Sequence, residues 1–217
     1  MTDGPLSLPA RLCLLAWDSA PPAAAGTGHL AGLVRAGALT ELAQRGLLTD
    51  EDGIATPVDL DARAGDAVLD GLLELVHESC PHAWRTWVTL RARVTLDAVR
   101  EQLVAGGYLR AEKKRVLGVF PSLDYALERV TAVDALREET RQVLQGPPSA
   151  TEPSERDAAL VALAAAAELL PEKDVRVHEQ RVEELTERAG ATAPGLRKIV
   201  REVRTAVAAE STAHALP

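Results

Sequence analysis

Residues 30–48 read LAGLVRAGALTELAQRGLL, and this stretch decides the fold. Its apolar residues recur at helical spacing and leave only a narrow polar sector, formed by Thr40, Glu41, Gln44 and Arg45. A helix with so little polar surface must be covered on most of its sides. We therefore predict a buried central helix around which the rest of the chain packs.

One charged residue, Arg35, falls on the apolar side of this helix, between Ala38, Leu39 and Leu42. A guanidinium in that position is costly unless an anionic or carbonyl-rich group faces it. The partner is either a buried Asp or Glu, which would make Arg35 structural, or a ligand phosphate, which would make it functional. Because buried ion pairs are commoner than ligand sites, the helix alone favours the structural interpretation.

The composition of the 217-residue chain favours packed helices. Hydrophobic residues make up 47% of the sequence and aromatic residues only 3%, so Leu, Val and Ala must fill the core. We predict a mainly α protein: a single globular domain of amphipathic helices around buried central helices, with one or two small β-hairpins. The predicted domain covers residues 9–210, between a short tail at 1–8 and a frayed tail at 211–217.

Local signals place the remaining elements. Asp52-Gly53 suits a hairpin turn, and Asp66 and Ser154 suit helix N-caps. A second hairpin is predicted around residues 110–115, RAEKKR, after a helix that begins at Thr95. Further helices are predicted over residues 9–17, 67–79, 84–90, 122–144, 156–170, 172–188 and 194–209.

Charge is distributed unevenly along the chain. The net charge of −8 argues against a general nucleic-acid binder. Residues 85–115 nevertheless carry eight basic side chains against three acidic ones, a local charge of +5. A basic segment in an acidic protein suits an anionic bilayer surface, and the alternative is an ordinary solvated face.

Several features bear on the compartment and the source. No stretch approaches about 18 uninterrupted apolar residues, so we expect no membrane span. The two cysteines form no disulfide or metal framework, which favours a reduced, cytoplasmic compartment. Twenty Arg against four Lys, with abundant Ala, indicates a GC-rich coding sequence and a bacterial source.

The residue patterns of enzymes and metal proteins are missing. The sequence contains no GxSxG, P-loop, HExxH or Gly-rich kinase loop. His77, Cys80 and His82 have spacings that suit a metal site, but no fourth ligand is near and Pro81 interrupts the turn. We expect no catalytic activity, no cofactor and no metal.

Several motifs, taken in order, cover nearly the whole chain. They are LVRAGALTELAQRG at 33–46, GDAVLD at 65–70, the region of Trp87, GYLRAEKKRVLGVFP at 107–121 and RDAALVAL at 156–163. No single motif is diagnostic, but their order and spacing together are fairly specific. In these motifs the chain resembles the Golgi phosphoprotein 3 family, helical proteins that bind phosphatidylinositol 4-phosphate on Golgi membranes.

The resemblance implies a lipid pocket beside a β-hairpin, facing the membrane. In this family an Arg of the central helix binds the lipid phosphate, and Arg35 occupies that position here. Of two further family arginines, one matches Arg93 and the other falls on Leu96, where Arg91 or Arg100 could substitute. The family's pocket aromatic, nine residues before the central Arg, falls on Gly26.

We therefore expect a peripheral membrane protein on the inner face of the membrane that recognises an anionic phospholipid headgroup, such as a phosphoinositide. Arginine forks suit phosphate because they donate two parallel hydrogen bonds. The predicted contacts to the lipid phosphate are Arg35, Arg93 and Arg91, and those to the membrane surface, at the hairpin tip, are Lys113, Lys114 and Arg115. Attraction by the tip would weaken with salt.

Two other functions stay open from the sequence. A helix followed by a small hairpin is also the core of a winged helix, and a nucleic-acid binder of that kind would need Arg91, Arg93 and Arg100 on one exposed helix face. A protein interaction scaffold without a lipid site would instead pair Arg35 with a buried carboxylate.

Overall fold

The computed structural model describes residues 6–17, 27–116, 120–146 and 152–214. Within these ranges the chain forms helices and two antiparallel two-stranded sheets, which confirms the predicted mainly α fold. The helices are α1 (Leu8–Leu15), α2 (Thr27–Gln44), α3 (Ala67–Glu78), α4 (Trp84–Thr89), α5 (Ala92–Ala105), α6 (Val130–Gln145), α7 (Glu155–Ala166), α8 (Glu172–Val177), α9 (Glu179–Gly190) and α10 (Leu196–His214). The strands are β1 (Leu48–Glu51), β2 (Ile54–Pro57), β3 (Leu109–Val116) and β4 (Phe120–Leu127).

Helix α2 is the centre of the fold, as predicted. Every residue from 31 to 43 is buried, and the helix packs against α1, α3, α4, α5, α7 and α10. Gly37 permits the close crossing with α1, since a Cβ there would lie 2.6 Å from Leu12 Cδ1 and 3.2 Å from Pro9 Cα. Helix α7 is the second central helix, buried throughout 158–164.

The predicted helix caps are confirmed. The Asp66 carboxylate accepts hydrogen bonds from the backbone N–H groups of Val68 and Leu69, at 3.0 and 3.1 Å. The Ser154 hydroxyl accepts one from the Asp157 N–H, at 3.1 Å. Each side chain satisfies backbone donors that a helix leaves without an internal partner, and so fixes where α3 and α7 begin.

The first hairpin is confirmed and the second is displaced from its predicted position. Asp52 and Gly53 turn between β1 and β2 with positive φ values of 52° and 91°. Around the second hairpin, however, β3 runs through the whole predicted turn, and Lys113 pairs with Leu123. The prediction that residues 113–115 form the hairpin tip is therefore wrong, because they lie within a strand.

The prediction of a helix over residues 122–127 is also wrong. Leu123 and Leu127 are spaced like neighbours on a helix, but Tyr125 lies between them, and the three residues alternate equally well as one face of a strand. Pairing with β3 selects the strand, and α6 begins only at Val130.

Other boundaries differ by smaller amounts. Helix α5 begins at Ala92 rather than at Thr95, and the single helix predicted over 172–188 is divided into α8 and α9. His178, with φ −111° and ψ 26°, separates these two helices. Helix α10 continues to His214. The domain limits of 9–210 stay a prediction.

Candidate functional site

Arg35 lies in the middle of α2 and is fully buried, with 0% of its surface exposed. Its Nε donates a hydrogen bond to Thr95 Oγ1 at 2.7 Å, and its Nη2 donates one to the Arg91 carbonyl oxygen at 2.8 Å. Its Nη1 is buried and has no hydrogen-bond partner among the described residues. Both partners are uncharged groups, so the charge of this guanidinium is not neutralised by them.

The surroundings of Arg35 lower its pKa, but the side chain stays charged near neutral pH. Burial, and then the nearby charge of Arg91, lower the pKa of Arg35 to about 10. The guanidinium still carries its proton near neutral pH. In the described ranges of the chain Arg35 forms no ion pair with Asp or Glu, so the carboxylate that a purely structural role requires is not found there.

The corner between α4 and α5, residues 90–95, covers this guanidinium. Arg91 has a left-handed backbone, with φ 52° and ψ 30°, which costs a residue with a side chain about 1 kcal/mol. This turn directs the Arg91 carbonyl oxygen inward, where it accepts from Arg35 and also from the Val94 N–H at 3.1 Å. The side chains of Arg91, Arg93 and Val94 are exposed on the outside of the same corner.

The structure brings together only part of the predicted set. Arg35 contacts the backbone carbonyl of Arg91, whose side chain is exposed, and Arg93 lies two residues beyond Arg91 on the first turn of α5. Lys113, Lys114 and Arg115 lie in strand β3, which packs against α5, but their side chains fall outside the described part of the structure.

At two positions, Leu96 and Gly26, the sequence lacks the side chain that the resemblance leads us to expect. Leu96, on which the resemblance places a family arginine, is a core residue and 1% exposed. Gly26, at the position of the pocket aromatic, lies outside the described residues.

Arg100 is half-buried and stacks on an aromatic side chain. Its guanidinium lies over the ring of Tyr125, 5.1 Å from the ring centroid, and its Nε is buried. This stacking attaches α5 to strand β4. Arg91 and Arg93 are exposed but Arg100 is not, so the three do not form the exposed arginine face that a winged-helix nucleic-acid binder would need.

Thr95 is the site residue that sequence reasoning missed. Its predicted role was to open a helix, whereas it lies inside α5, 5% exposed, and its hydroxyl accepts from Arg35. The only signal in the sequence is its polar side chain one position before the core residue Leu96, which does not identify a partner sixty residues earlier in the chain.

A second buried charge on α2 has very different surroundings. Glu41, 3% exposed, accepts hydrogen bonds from the Leu8 N–H at 2.6 Å, from Arg156 Nη2 at 2.8 Å and from Arg45 Nη2. Arg156 Nη2 also donates to the Leu6 carbonyl oxygen at 2.7 Å. This carboxylate is a fully partnered structural group that joins α2 to α1 and α7.

Two clefts on the described surface lie away from Arg35. One, of about 300 Å³, is lined by charges of both signs, including Arg11, Asp157 and Arg181. The other, of about 410 Å³, is lined by apolar residues, including Leu144 and Leu169, and by charged ones. Arg35 lines neither cleft, and both groups that accept hydrogen bonds from it, Thr95 Oγ1 and the Arg91 carbonyl oxygen, belong to the corner between α4 and α5.

The architecture defines an all-α protein with two small hairpins and an arginine buried in its central helix. The family model of Golgi phosphoprotein 3 (GPP34) matches residues 8–203, nearly the whole chain, and the chain belongs to this family. A search of the curated proteins finds no match. None of the helices in the described ranges is long and apolar enough to cross a bilayer.

Proposed function

We propose that this protein binds the phosphate of an anionic phospholipid headgroup at the α4–α5 corner, most specifically a phosphoinositide such as phosphatidylinositol 4-phosphate. The observation that supports this proposal above all others is the buried charge of Arg35. Its two hydrogen bonds go to neutral oxygens, and its Nη1 has no partner in the described part of the chain. A phosphate would supply both the missing acceptor and the missing negative charge.

The route to Arg35 passes the left-handed turn at Arg91. A phosphate arriving from outside meets Arg91 and Arg93 first, because both side chains are exposed at this corner. To reach Arg35 it takes the place of the Arg91 carbonyl oxygen on Nη2, which frees that turn to relax. The guanidinium then presents Nη1 and Nη2 together, the fork that suits two phosphate oxygens.

The family supports a lipid as the source of the phosphate. The resemblance matches Arg35 to the family's phosphate-binding arginine, and the family model covers residues 8–203. Leu96 replaces one family arginine with a core side chain, so we propose that Arg91 takes over part of its role. We further propose that Lys113, Lys114 and Arg115, on the strand beside α5, add attraction to the bilayer that salt weakens.

Vesicle co-sedimentation tests the proposal. The vesicles are phosphatidylcholine alone, phosphatidylcholine with phosphatidylinositol 4-phosphate, and phosphatidylcholine with enough phosphatidylserine to match that charge. The protein is compared with Arg35→Met and with Arg176→Met as a control. Arg176 is an exposed arginine on α8, 77% exposed, so its replacement removes the same charge from a different surface.

We expect binding to the phosphoinositide vesicles that falls at least about tenfold in Arg35→Met, the equivalent of one charge-assisted hydrogen bond. Arg176→Met should stay within about twofold of the unchanged protein. Equal binding to both anionic vesicles, unaffected by Arg35→Met, would contradict a headgroup site and indicate a diffuse basic surface. Competition by soluble inositol 1,4-bisphosphate but not by inorganic phosphate distinguishes a lipid headgroup from free phosphate.

A further inference from the structure

The first turn of α5 exposes an aliphatic side chain beside basic ones. Val94 is 58% exposed, and its neighbours Arg91 and Arg93 are exposed as well. The Val94 N–H donates to the same Arg91 carbonyl oxygen that covers Arg35. This apolar side chain therefore stands at the outer surface of the proposed phosphate site rather than at an arbitrary point of the surface.

The exposed face of α5 changes character along its length. Its first turn presents Arg93 and Val94, whereas Asp97 and Glu101, one and two turns further on, are also exposed. An anionic bilayer attracts the first turn and repels the later ones. The charges therefore favour an end-on approach of α5, with its beginning against the lipid.

A second exposed aliphatic residue provides a contrast. Leu60 is 65% exposed, but it lies between Asp59 and Asp61, which are exposed too. Apolar exposure is similar at Leu60 and at Val94, and the neighbouring charge is opposite. Charge complementarity with an anionic surface thus selects Val94 and excludes Leu60.

We infer that Val94 enters the interfacial layer of an anionic bilayer when the protein binds, while Leu60 stays in water. This inference rests on the proposed function and adds the orientation of the bound protein. A single valine transfers little apolar surface, so insertion needs the arginines beside it to hold the corner at the bilayer. The two contributions act at one place, because Arg91 and Val94 belong to the same turn.

Environment-sensitive fluorophores at the two positions test the inference. Cys80→Ser first removes the exposed thiol. Cys13 is buried, and burial raises its pKa to about 11, so it does not react. Val94→Cys and Leu60→Cys are then labelled separately with nitrobenzoxadiazole. Vesicles contain phosphatidylcholine with or without phosphatidylinositol 4-phosphate, and a share of the lipid carries a nitroxide near the top of the acyl chain.

With phosphoinositide vesicles we expect a blue shift and a loss of about half the emission for the label at position 94, and neither change at position 60. Phosphatidylcholine alone should change neither label. Quenching at both positions, or at neither while the protein co-sediments, overturns the inference and leaves the proposed function standing. Failure to co-sediment with any vesicle overturns both.

Unlabelled variants guard against an effect of the fluorophore itself. Val94→Ser should weaken partition into phosphoinositide vesicles about fivefold, because part of a valine side chain no longer leaves water. Leu60→Ser should change it by less than about twofold. Both side chains are exposed, so neither change disturbs the core. Equal effects of the two substitutions would overturn the inference.

Discussion

Helix α2 buries two opposite charges, Arg35 and Glu41, and the two differ in their hydrogen-bond partners. Glu41 accepts from two arginines and from a backbone N–H. Arg35 donates to a hydroxyl and a carbonyl oxygen, and no residue that the structure describes accepts from its Nη1. Both side chains are almost fully excluded from water, with 3% and 0% exposure, so burial alone does not distinguish them.

The difference lies in what each charge does for the folded state. A buried carboxylate with three donors is held by the fold and in turn holds α1 and α7 against α2. A buried guanidinium with neutral partners weakens the fold, since its desolvation is only partly compensated. We infer that the buried guanidinium of Arg35 serves to bind a ligand. The comparison predicts opposite effects on stability when the two charges are removed.

The largest expected effect is that of Glu41→Ala on stability. The change leaves the buried Leu8 N–H without its acceptor and separates Arg156 from its carboxylate. We expect a loss of about 3 kcal/mol in the free energy of unfolding, measured by urea denaturation followed by circular dichroism. Glu172→Ala is the control, because its pair with Arg176 is exposed and contributes less than about 1 kcal/mol.

A loss in Glu41→Ala no larger than that in Glu172→Ala would break the comparison, since Glu41 would then not be the structural charge of α2.

We expect the effect of Arg35→Met on stability to have the opposite sign to that of Glu41→Ala. Arg35→Met replaces an uncompensated buried charge with an apolar side chain of similar length, and Thr95 can redirect its hydroxyl. We expect the free energy of unfolding to stay unchanged or to rise by up to about 2 kcal/mol, while phosphoinositide binding is lost. The same urea denaturation measures it. A loss of stability as large as that in Glu41→Ala would mean that Arg35 is a structural group.

Much of the fold could be predicted from the sequence, and the errors have an identifiable cause. The apolar pattern of α2, the Ala-rich α7 and the caps at Asp66 and Ser154 are local signals, and the structure confirms them. The second hairpin was misplaced because Leu123 and Leu127 satisfy helical and strand spacing alike. Only pairing with β3, the preceding strand of the same hairpin, resolves that ambiguity.

The candidate site was less accessible to sequence reasoning. The pattern of α2 identified Arg35 as an exception, because a single charge on an apolar face is visible along one helix. Its partners were not visible, since Thr95 and the Arg91 carbonyl oxygen meet it across some sixty residues of chain. The amino-acid sequence carries no signal for a backbone oxygen that a left-handed turn directs inward.

The pH dependence of stability sharpens the comparison further. Because folding lowers the pKa of Arg35 to about 10, the unfolded chain binds the proton more tightly than the folded chain does. The penalty for burying the charge is full well below pH 10 and is relieved as the pH rises above 10. At pH 11 the unchanged protein should gain about 1 kcal/mol relative to Arg35→Met, compared with pH 8.

Urea denaturation of both proteins at the two pH values measures this difference, and the titration of other groups cancels between them. A difference in stability that is the same at pH 8 and pH 11 would contradict the lowered pKa of Arg35.

The smallest effect concerns the turn that covers Arg35. Arg91→Gly keeps the carbonyl oxygen that accepts from Arg35 and removes the penalty of a side chain at φ 52°, so we expect a gain of about 0.5 kcal/mol. Arg93→Gly removes the same charge from the helical turn that follows and should lose about 0.5 kcal/mol, because glycine weakens a helix.

Each of these two substitutions should weaken phosphoinositide binding about fivefold, the contribution of one basic residue near an anionic surface. Urea denaturation and vesicle co-sedimentation of the pair then separate backbone strain from charge. If Arg91→Gly binds far more weakly than Arg93→Gly, the Arg91 side chain contacts the phosphate itself. If binding falls equally while stability moves in opposite directions, the left-handed turn serves to place its carbonyl oxygen on Arg35, and the arginines outside it act through their charge.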